Sequence, residues 1–296
     1  MRMRPSLRTA GGAPSRLLRG YAAFLLGAVG VVCLILAGCG PVREPALEPA
    51  PGRSAREILA AHNARADAIE HVWARAHLTL NIPRPDESGK RDQFDLDGHL
   101  FLDKPHNLFL HGQVLGQDQF TLGMNAERFW LWVKPQVNTV WTGKRGGAGE
   151  ERLILSPAIL TAALGVYEIS PSAGLRRRID SYGSHAVLNE CQQNGGAPVR
   201  RIWFDRSARP ARIDLFDPTG RQILMAELLK YKRVGETDVC VAYRMRVYGD
   251  EEEVDLVLRL DGVRLDKKPN PRIFEYRLPP GAAEKDLDRL DKTVSP

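Results

Sequence analysis

Side chains able to do acid–base or metal chemistry are scattered along this sequence. Three of its seven histidines, His77, His99 and His111, fall on predicted strands without metal-ligand spacing, so we expect their imidazoles to face solvent. Asp95 and Asp97 share one strand face, but the alternation turns that face outward, and acid–base work by a carboxylate pair needs burial. Motifs of the His-Glu-x-x-His, Gly-x-Ser-x-Gly, P-loop and Cys-x-x-Cys types are absent. We therefore expect a protein that is not an enzyme and that holds no metal and no cofactor.

The side chain with the clearest chemical role is the thiol of Cys39. Five arginines precede an apolar run over 21–35, and the small-residue segment Leu36-Ala37-Gly38 follows, which is the layout of a secretory signal. The ending Leu-Ala-Gly-Cys resembles the lipobox of bacterial lipoproteins. That resemblance implies cleavage after residue 38 and a thioether link from Cys39 to diacylglycerol. The alternative is one uncleaved transmembrane helix, although the run is shorter than the roughly 20 residues that a span prefers.

Loss of such a signal changes the charge balance. The chain has 42 basic and 36 acidic residues, a net charge of +6, and residues 1–38 contain five arginines and no acid. The remaining chain therefore carries 37 basic and 36 acidic side chains. Nucleic-acid binders concentrate positive charge on the folded domain. We expect no nucleic-acid partner.

Two cysteines, Cys191 and Cys240, remain in the predicted folded part. An oxidising periplasm permits a disulfide between them. The alternative is two buried free thiols, and the spacing alone does not decide between the two.

The elements that follow Cys39 begin with an irregular segment. Residues 40–53 are rich in Pro, Ala and Glu without periodicity, which predicts an extended tether. Ser54-Ala55-Arg56-Glu57 is a capping box, and apolar side chains from Ile58 to Trp73 continue one face of the predicted helix. The predicted organisation is a signal peptide over 1–38, a tether over 39–53 and a single domain over 54–296.

From Ala74 onward the apolar positions alternate, as in strands with one buried face. Strand candidates lie at 74–82, 94–102, 108–114, 120–124, 129–133 and 138–142. Ser156-Pro157 and Gly165 bound an almost entirely apolar helix, which must be covered on several sides. A second series of strand candidates lies at 178–182, 185–190, 200–205, 211–216, 221–231, 239–248, 253–260 and 273–276. The pattern predicts a mainly β (α+β) fold, in which two helices lie across one long, curved antiparallel sheet.

This order of elements resembles the LolA/LolB group of bacterial lipoprotein carriers. The local matches occur in the family's order over about 54–281. They are Glu127-Arg128-Phe129-Trp130-Leu131-Trp132 with Gln136-Val137, Ser156-Pro157-Ala158-Ile159-Leu160, Arg209-Pro210-Ala211-Arg212-Ile213, Asp217-Pro218-Thr219-Gly220-Arg221, and the terminal-strand match Phe274-Glu275-Tyr276 with Pro279-Pro280-Gly281. The resemblance implies a half-open β-barrel with the apolar helix as its lid.

The resemblance also implies a function. Acyl chains of lipoproteins or lipids would bind in an apolar cavity and pass to the inner leaflet of the outer membrane, with a periplasmic carrier as a candidate donor. The candidate cavity residues are Leu78, Leu80, Phe94, Leu96, Leu100, Leu108, Leu110, Phe120, Leu122, Phe129 and Leu131. Ile159, Leu160 and Leu164 would lie on the lid. Alternating apolar positions also fill the core of any sheet, so only a cavity distinguishes the two interpretations.

One loop bears on delivery to the membrane. Val114-Leu115-Gly116 occupies the place where the LolB branch presents an exposed leucine, and Val114 stands where that loop has proline. The alternative for Leu115 is a strand-end leucine packed into the core. Gly40 follows Cys39 where the inner-membrane retention signal has Asp, so the resemblance favours the periplasmic face of the outer membrane. The alternative function is a non-transporting envelope lipoprotein of the same fold, either a lipid-sensing regulator or an assembly component.

Overall fold

The computed structural model describes residues 53–84, 90–172, 174–182, 185–193, 196–250 and 252–289. All of them belong to one compact unit, Leu47–Pro296. The predicted lipidation site Cys39, the signal segment and the tether up to residue 52 lie outside the described residues.

The first helix starts where the capping box predicted. Helix α1, Ala55–Asp67, begins with a pair of reciprocal hydrogen bonds. The Glu57 N–H donates to Ser54 Oγ at 3.3 Å, and the Ser54 N–H donates to Glu57 Oε2 at 2.7 Å. The other helices are α2, Lys134–Val137, α3, Ala148–Glu151, α4, Pro157–Ala163, and a 3-10 helix, Pro271–Phe274.

Helix α4 has the predicted start and end. The Ile159 N–H donates to Ser156 Oγ at 3.2 Å, and Pro157 occupies the first turn. Gly165 follows with a φ of +65°, a left-handed conformation that ends helices and that glycine adopts without a Cβ clash. Pro157 and Leu160 are buried, whereas Ala158 is exposed. The other residues of the helix are buried or half-buried, so most of its surface is covered, as its apolar sequence predicted.

The described residues form fourteen strands. These are β1 His71–Pro83, β2 Arg91–Asp103, β3 Asn107–Val114, β4 Gln117–Met124, β5 Arg128–Val133, β6 Thr139–Lys144, β7 Leu175–Tyr182, β8 His185–Gln192, β9 Pro198–Phe204, β10 Pro210–Phe216, β11 Gln222–Val234, β12 Thr237–Tyr248, β13 Glu253–Arg264 and β14 Ala283–Asp286.

All fourteen strands belong to one curved sheet, which confirms the predicted fold class. The spatial order is β14-β6-β5-β4-β3-β2-β1-β13-β12-β11-β10-β9-β8-β7. Neighbouring strands are antiparallel except for β14, which runs parallel to β6. The central pair is β1 with β13, in which Leu78 faces Leu258 and Leu80 faces Leu256. Among the described strands β14 and β7 are the two edges and do not pair with each other, so the sheet is an unclosed barrel.

Alternation places one apolar face of the sheet inward. Leu78, Leu100, Leu108 and Leu122 are at most 2% exposed and belong to the main core, which α1 and α4 help to cover. We call this side the inner face. The opposite, outer face carries the exposed Asp95 and Asp97, as the alternation predicted.

A second, smaller core lies on the outer face. Trp130, Trp132 and Val140 are at most 5% exposed, and Tyr276 of the C-terminal segment packs against them. The chain therefore crosses the outer face after β13 before it adds β14 beside β6.

Two expectations about elements are wrong. The first helix ends at Asp67, and Val72 and Trp73 belong to β1, because their spacing suits a strand as well as a helix turn. The predicted terminal strand over 273–276 is a 3-10 helix and a following loop, and the last strand is β14.

Of the two alternatives for the cysteines, the structure has the free thiols. Cys191 and Cys240 are free thiols. They lie on β8 and β12, which are four strand positions apart in the sheet. At about 4.8 Å per strand this puts them well beyond the 7 Å that bridged Cα atoms allow.

Candidate functional site

The predicted sheet positions share the inner face but do not all line a cavity. All of them except Phe94 are at most 7% exposed, and Phe94 is partly buried against the same core. Leu80, Phe120 and Leu131 line an open cavity. The remaining positions lie in the core and line neither of the two inner-face cavities described below. The inner face is thus partly filled core and partly cavity.

Cavity 1 is the apolar cavity at one end of the inner face. Its volume is about 640 Å³, within the range of about 300–1,000 Å³ usual for ligand sites. Strands β1, β4, β5, β6 and β13 form its floor. Its lining residues are Leu80, Ile82, Phe120, Leu131, Val133, Trp141, Arg152, Leu153, Ile154, Leu155, Gly249, Asp250, Glu252 and Val254. Arg152, Asp250 and Glu252 are exposed at its rim, so a ligand with an apolar chain and a polar end fits this arrangement.

The cover of cavity 1 differs from the lid that the sequence suggested. Leu160 and Leu164 are at most 3% exposed in the core, and Ile159 is partly buried against it. None of the three lines cavity 1. The cavity is covered instead by residues 152–155, which precede α4. The signal in the sequence was the apolar triplet Leu153-Ile154-Leu155 directly before the helix start.

Leu115 lies at the tip of the β3–β4 hairpin and is 100% exposed. Val114 pairs with Gln117, so Leu115 and Gly116 alone form the turn. Their φ values are +50° and +77°, as in a type I′ turn, which favours Asn-Gly. The alternative of a leucine packed into the core is therefore wrong. Neither packing nor backbone conformation accounts for a leucine at this position.

The turn and cavity 1 lie at the same end of the sheet. Phe120 and Val133 face each other across β4 and β5, and both line cavity 1. Leu115 precedes Phe120 by five residues, which is about 17 Å along an extended chain. The exposed leucine therefore lies within about 17 Å of the cavity lining.

Cavity 2 lies at the other end of the inner face, between α1, α4 and strands β4, β9 and β10. Its volume is about 260 Å³. Its lining residues are His62, Pro105, Met124, Arg145, Ala158, Thr161, Ala162, Gly165, Tyr167, Ile169, Arg200, Ile202 and Ile213. No motif in the sequence marks the polar members of this set. They come from five separate elements, so no spacing in the sequence relates them.

Two side chains of α1 fasten the segment after α4. The His62 ring, 1% exposed, contacts the Tyr167 carbonyl through Nε2 at 2.9 Å and Arg65 Nη2 through Nδ1 at 2.7 Å. Asn63 accepts a hydrogen bond from the Ile169 N–H at 2.9 Å. Burial, and then the positive charge of Arg65, lower the pKa of His62 to about 4. The imidazole is therefore neutral at neutral pH, and Nε2 is its donor nitrogen.

The outer face carries a third, larger space that the sequence did not predict. A groove of about 840 Å³ lies between the sheet and the C-terminal segment, with Trp130, Trp132 and Tyr276 among its lining residues. The Tyr276 ring contacts Trp130 at 5.7 Å between centroids. Charged side chains of both signs, including Asp118 and Arg277, also line the groove. Apolar side chains line the groove as well, and they include Leu278, which is 48% exposed. Cavity 1 differs in that it opens on the inner face, near the fully exposed Leu115.

The histidines singled out in the sequence lie on the outer face. His77 is 51% exposed at its side chain, as predicted, and contacts Asp97 at 2.5 Å and Asp261 at 3.2 Å. His99 and His111 are less exposed than expected, because their rings stack at 5.3 Å. Within the described part of the chain, no three His, Cys, Asp or Glu side chains are placed to share a metal ion.

Solved structures are similar to this chain over about three quarters of its length, at low sequence identity. No family model matches the chain, and no curated protein matches it. A LolA superfamily protein from Nitrosomonas europaea has a TM-score of 0.48 at 13% identity, covering 76% of this chain and 99% of its own. A domain from Vibrio parahaemolyticus described as an outer membrane lipoprotein-sorting protein has a TM-score of 0.46 at 12% identity, covering 74% and 95%. A DUF1329 family protein from Desulfovibrio piger has a TM-score of 0.43 at 12% identity, covering 75% and 97%.

The helices of the described residues include none that is both long enough and apolar enough to span a bilayer.

Proposed function

We propose that this chain binds acyl chains of lipoproteins or similar lipids in cavity 1 and passes them to a membrane without catalysing a reaction. The acyl chain would lie against the apolar floor, and the polar part of the ligand would remain at the rim. Arg152, Asp250 and Glu252 would be its neighbours there.

The observation that supports the proposal most is the juxtaposition of cavity 1 with Leu115. An open apolar cavity of about 640 Å³ and a fully exposed leucine occupy the same end of one sheet. Large contiguous apolar surface on a monomeric protein marks a site that contacts a ligand, a membrane or a partner, whereas a single exposed leucine does not. Leu115 gains its significance from its position beside cavity 1.

The energetics of such binding need no reactive group. Burial of about 14 methylenes stabilises a complex by roughly 11 kcal/mol at about 0.8 kcal/mol each. Association costs at least about 4 kcal/mol in lost freedom. The remaining 7 kcal/mol or so corresponds to a dissociation constant in the micromolar range.

Leu115 would act during release. A leucine at the tip of a two-residue turn can enter the interfacial region of a bilayer before the cargo does. Moving this side chain out of water into the bilayer is favourable. Attachment through Cys39 would keep the domain at the periplasmic face of the outer membrane. A periplasmic carrier would supply the acylated cargo there.

The acyl-binding proposal is tested with the compact unit, residues 47–296. A fluorescent fatty-acid probe should bind with a micromolar dissociation constant, and an unlabelled acylated peptide should displace it. The same peptide without its acyl chain is the matched control and should not compete. Absence of binding at high micromolar probe would leave the non-transporting envelope lipoprotein as the better interpretation.

The anchor is tested separately in cells. Radioactive palmitate should label the full chain, and Cys39→Ser should abolish the labelling and release the protein from the membrane fraction. Cys33→Ser, which changes a thiol inside the predicted signal, is the control and should leave the labelling unchanged. Labelling that survives Cys39→Ser would contradict the anchor.

A further inference from the structure

Cavity 2 has a chemistry that acyl binding does not use. Besides aliphatic side chains, its wall contains two guanidinium groups, Arg145 and Arg200, and two hydroxyl groups, Thr161 and Tyr167. His62 adds an imidazole whose two nitrogens already have partners. An apolar ligand would leave these polar groups unused.

The two hydroxyl groups lack partners. Thr161 Oγ1 and the Tyr167 hydroxyl are shut off from solvent and have no hydrogen-bond partner. Burial raises the pKa of Tyr167 to about 12, so the hydroxyl keeps its proton and can donate it. A buried hydroxyl without a partner is costly, and a bound ion or water molecule can satisfy it. Both residues belong to the lining of cavity 2.

Both guanidinium groups keep unused donors. Arg200 donates from Nε to Glu190 Oε2 at 2.7 Å and pairs with it through Nη2 at 2.6 Å. Arg145 contacts His106 Nδ1 through Nη1. Since a guanidinium has five N–H donors, each group retains at least three.

The charge around cavity 2 favours an anion. The nearby carboxylate Glu190 is 1% exposed and already binds two arginines, because Arg177 Nε donates to it at 2.6 Å. The carboxylate of Glu150 accepts hydrogen bonds from the backbone N–H groups of Gly146 and Ala158. Lys104 adds a further cation, with Nζ 5.3 Å from the centre of the Tyr167 ring.

We propose that cavity 2 binds a phosphate group, held by Arg145, Arg200, Thr161 and Tyr167. These four side chains come from four separate segments: β9, α4, and the loops that follow β6 and α4. This arrangement suits a tetrahedral oxyanion, whereas a planar carboxylate is satisfied by a single guanidinium fork. The phosphate is either free or part of a lipid head group.

The test is calorimetric titration of the full chain in a non-ionic detergent. Inorganic phosphate and a short-chain phosphatidic acid are the two probes, and sodium acetate at equal ionic strength is the planar control. Binding of inorganic phosphate supports the site. Binding of the phosphatidic acid alone supports a head-group site only if Arg200→Gln weakens it, because the acyl chains would also enter cavity 1; unweakened binding by that variant overturns the site. If neither phosphate probe binds, or if acetate binds equally well, the proposed phosphate site is wrong.

Two arginine variants distinguish a loss of phosphate binding in cavity 2 from the loss of an ion pair with Glu190. Arg200→Gln and Arg177→Gln each remove one partner of Glu190, but Arg177 does not line cavity 2. We expect Arg200→Gln to weaken phosphate binding about ten- to a hundredfold, the worth of a charged hydrogen bond, and Arg177→Gln to leave it unchanged. Equal losses in the two variants would show that phosphate acts through Glu190 and would overturn the proposal.

Tyr167→Phe provides a second readout. Because the hydroxyl is unpartnered without phosphate, its removal should not lower the unfolding temperature in phosphate-free buffer. It should reduce the rise in unfolding temperature that phosphate causes in the parent chain. An undiminished rise would contradict a role for Tyr167.

Discussion

The two cavities of the inner face differ in chemistry although one sheet builds both. Cavity 1 has a floor of leucine, isoleucine, valine and aromatic side chains, and its charged residues are confined to the rim. Cavity 2 is less than half as large and places arginines, hydroxyls and a buried histidine among its aliphatic residues. The first suits a flexible chain, and the second suits a small polar group.

The difference follows from which elements supply the walls. Alternating strand positions dominate the floor of cavity 1, so its chemistry repeats the apolar pattern of the strands. Helices α1 and α4 and the loops beside them supply much of cavity 2. The segment 152–164 touches both cavities, through Ile154 at one end and Thr161 at the other.

The largest expected effect concerns the cover of cavity 1. Ile154→Glu should weaken binding of the acyl probe at least about tenfold, because it places a carboxylate against the apolar floor. Ile159→Glu is the matched control, since Ile159 is also partly buried but does not line the cavity. Probe titration measures both. The reverse ranking would assign the lid to α4 instead of residues 152–155.

The next effect concerns His62 in the wall of cavity 2. Its folded pKa of about 4 lies below the unfolded value of 6.5. Neutral His62 therefore stabilises the fold fully above pH 6.5, and this contribution, about 3 kcal/mol, is lost as pH falls toward 4. Urea unfolding across this range should show the decline, and His62→Gln should flatten it.

His77→Gln is the control for this pH dependence, because His77 is half exposed on the outer face. It should leave the decline in place. An unchanged decline in His62→Gln as well would mean that another group causes it.

A smaller effect is expected at the turn beyond cavity 1. Leu115→Asn should stabilise the fold by about 0.5–1 kcal/mol, because asparagine tolerates a positive φ better than leucine does. The same change should slow transfer of an acylated peptide to vesicles while leaving its binding intact. Leu278→Asn removes another exposed leucine, 48% exposed, and should affect neither. Unimpaired transfer by Leu115→Asn would show that the turn has no role in release.

For the two cysteines we expect no effect of reductant on stability. A reductant should leave the unfolding temperature of residues 47–296 unchanged, because Cys191 and Cys240 are free. Burial raises the pKa of Cys240 to about 11, so its thiol should resist alkylation at pH 8 until the chain unfolds. A lower unfolding temperature in reductant would indicate a disulfide after all.

Most of the sheet was predictable because a strand with one buried face leaves a period of two in the sequence. The capping box at Ser54 also predicted the start of α1, and Pro157 and Gly165 predicted the start and the end of α4. The boundary between α1 and β1 was not predictable, because Val72 and Trp73 fit both periods. Nor was the 3-10 helix at Pro271–Phe274, which packs through tertiary contacts and lacks a period of its own.

The candidate site was predictable only in part. Alternation identified the inner face but could not show where that face is filled and where it is open, since Leu78 and Leu80 look alike in the sequence. Leu80 lines cavity 1 together with residues 152–155, which are about seventy positions away in the sequence. The space between such distant segments leaves no pattern in the sequence. Cavity 2 was missed because its polar residues are up to 138 positions apart, from His62 to Arg200.

Native mass spectrometry of residues 47–296, purified without added lipid, is the most direct test of lipid binding in cavity 1. Acyl binding in cavity 1 predicts a population with the added mass of an acylated lipid, and predicts that Ile154→Glu reduces this population while Ile159→Glu retains it. A folded domain that carries no lipid in any form, and that takes up none when acylated peptide is added, would contradict the account.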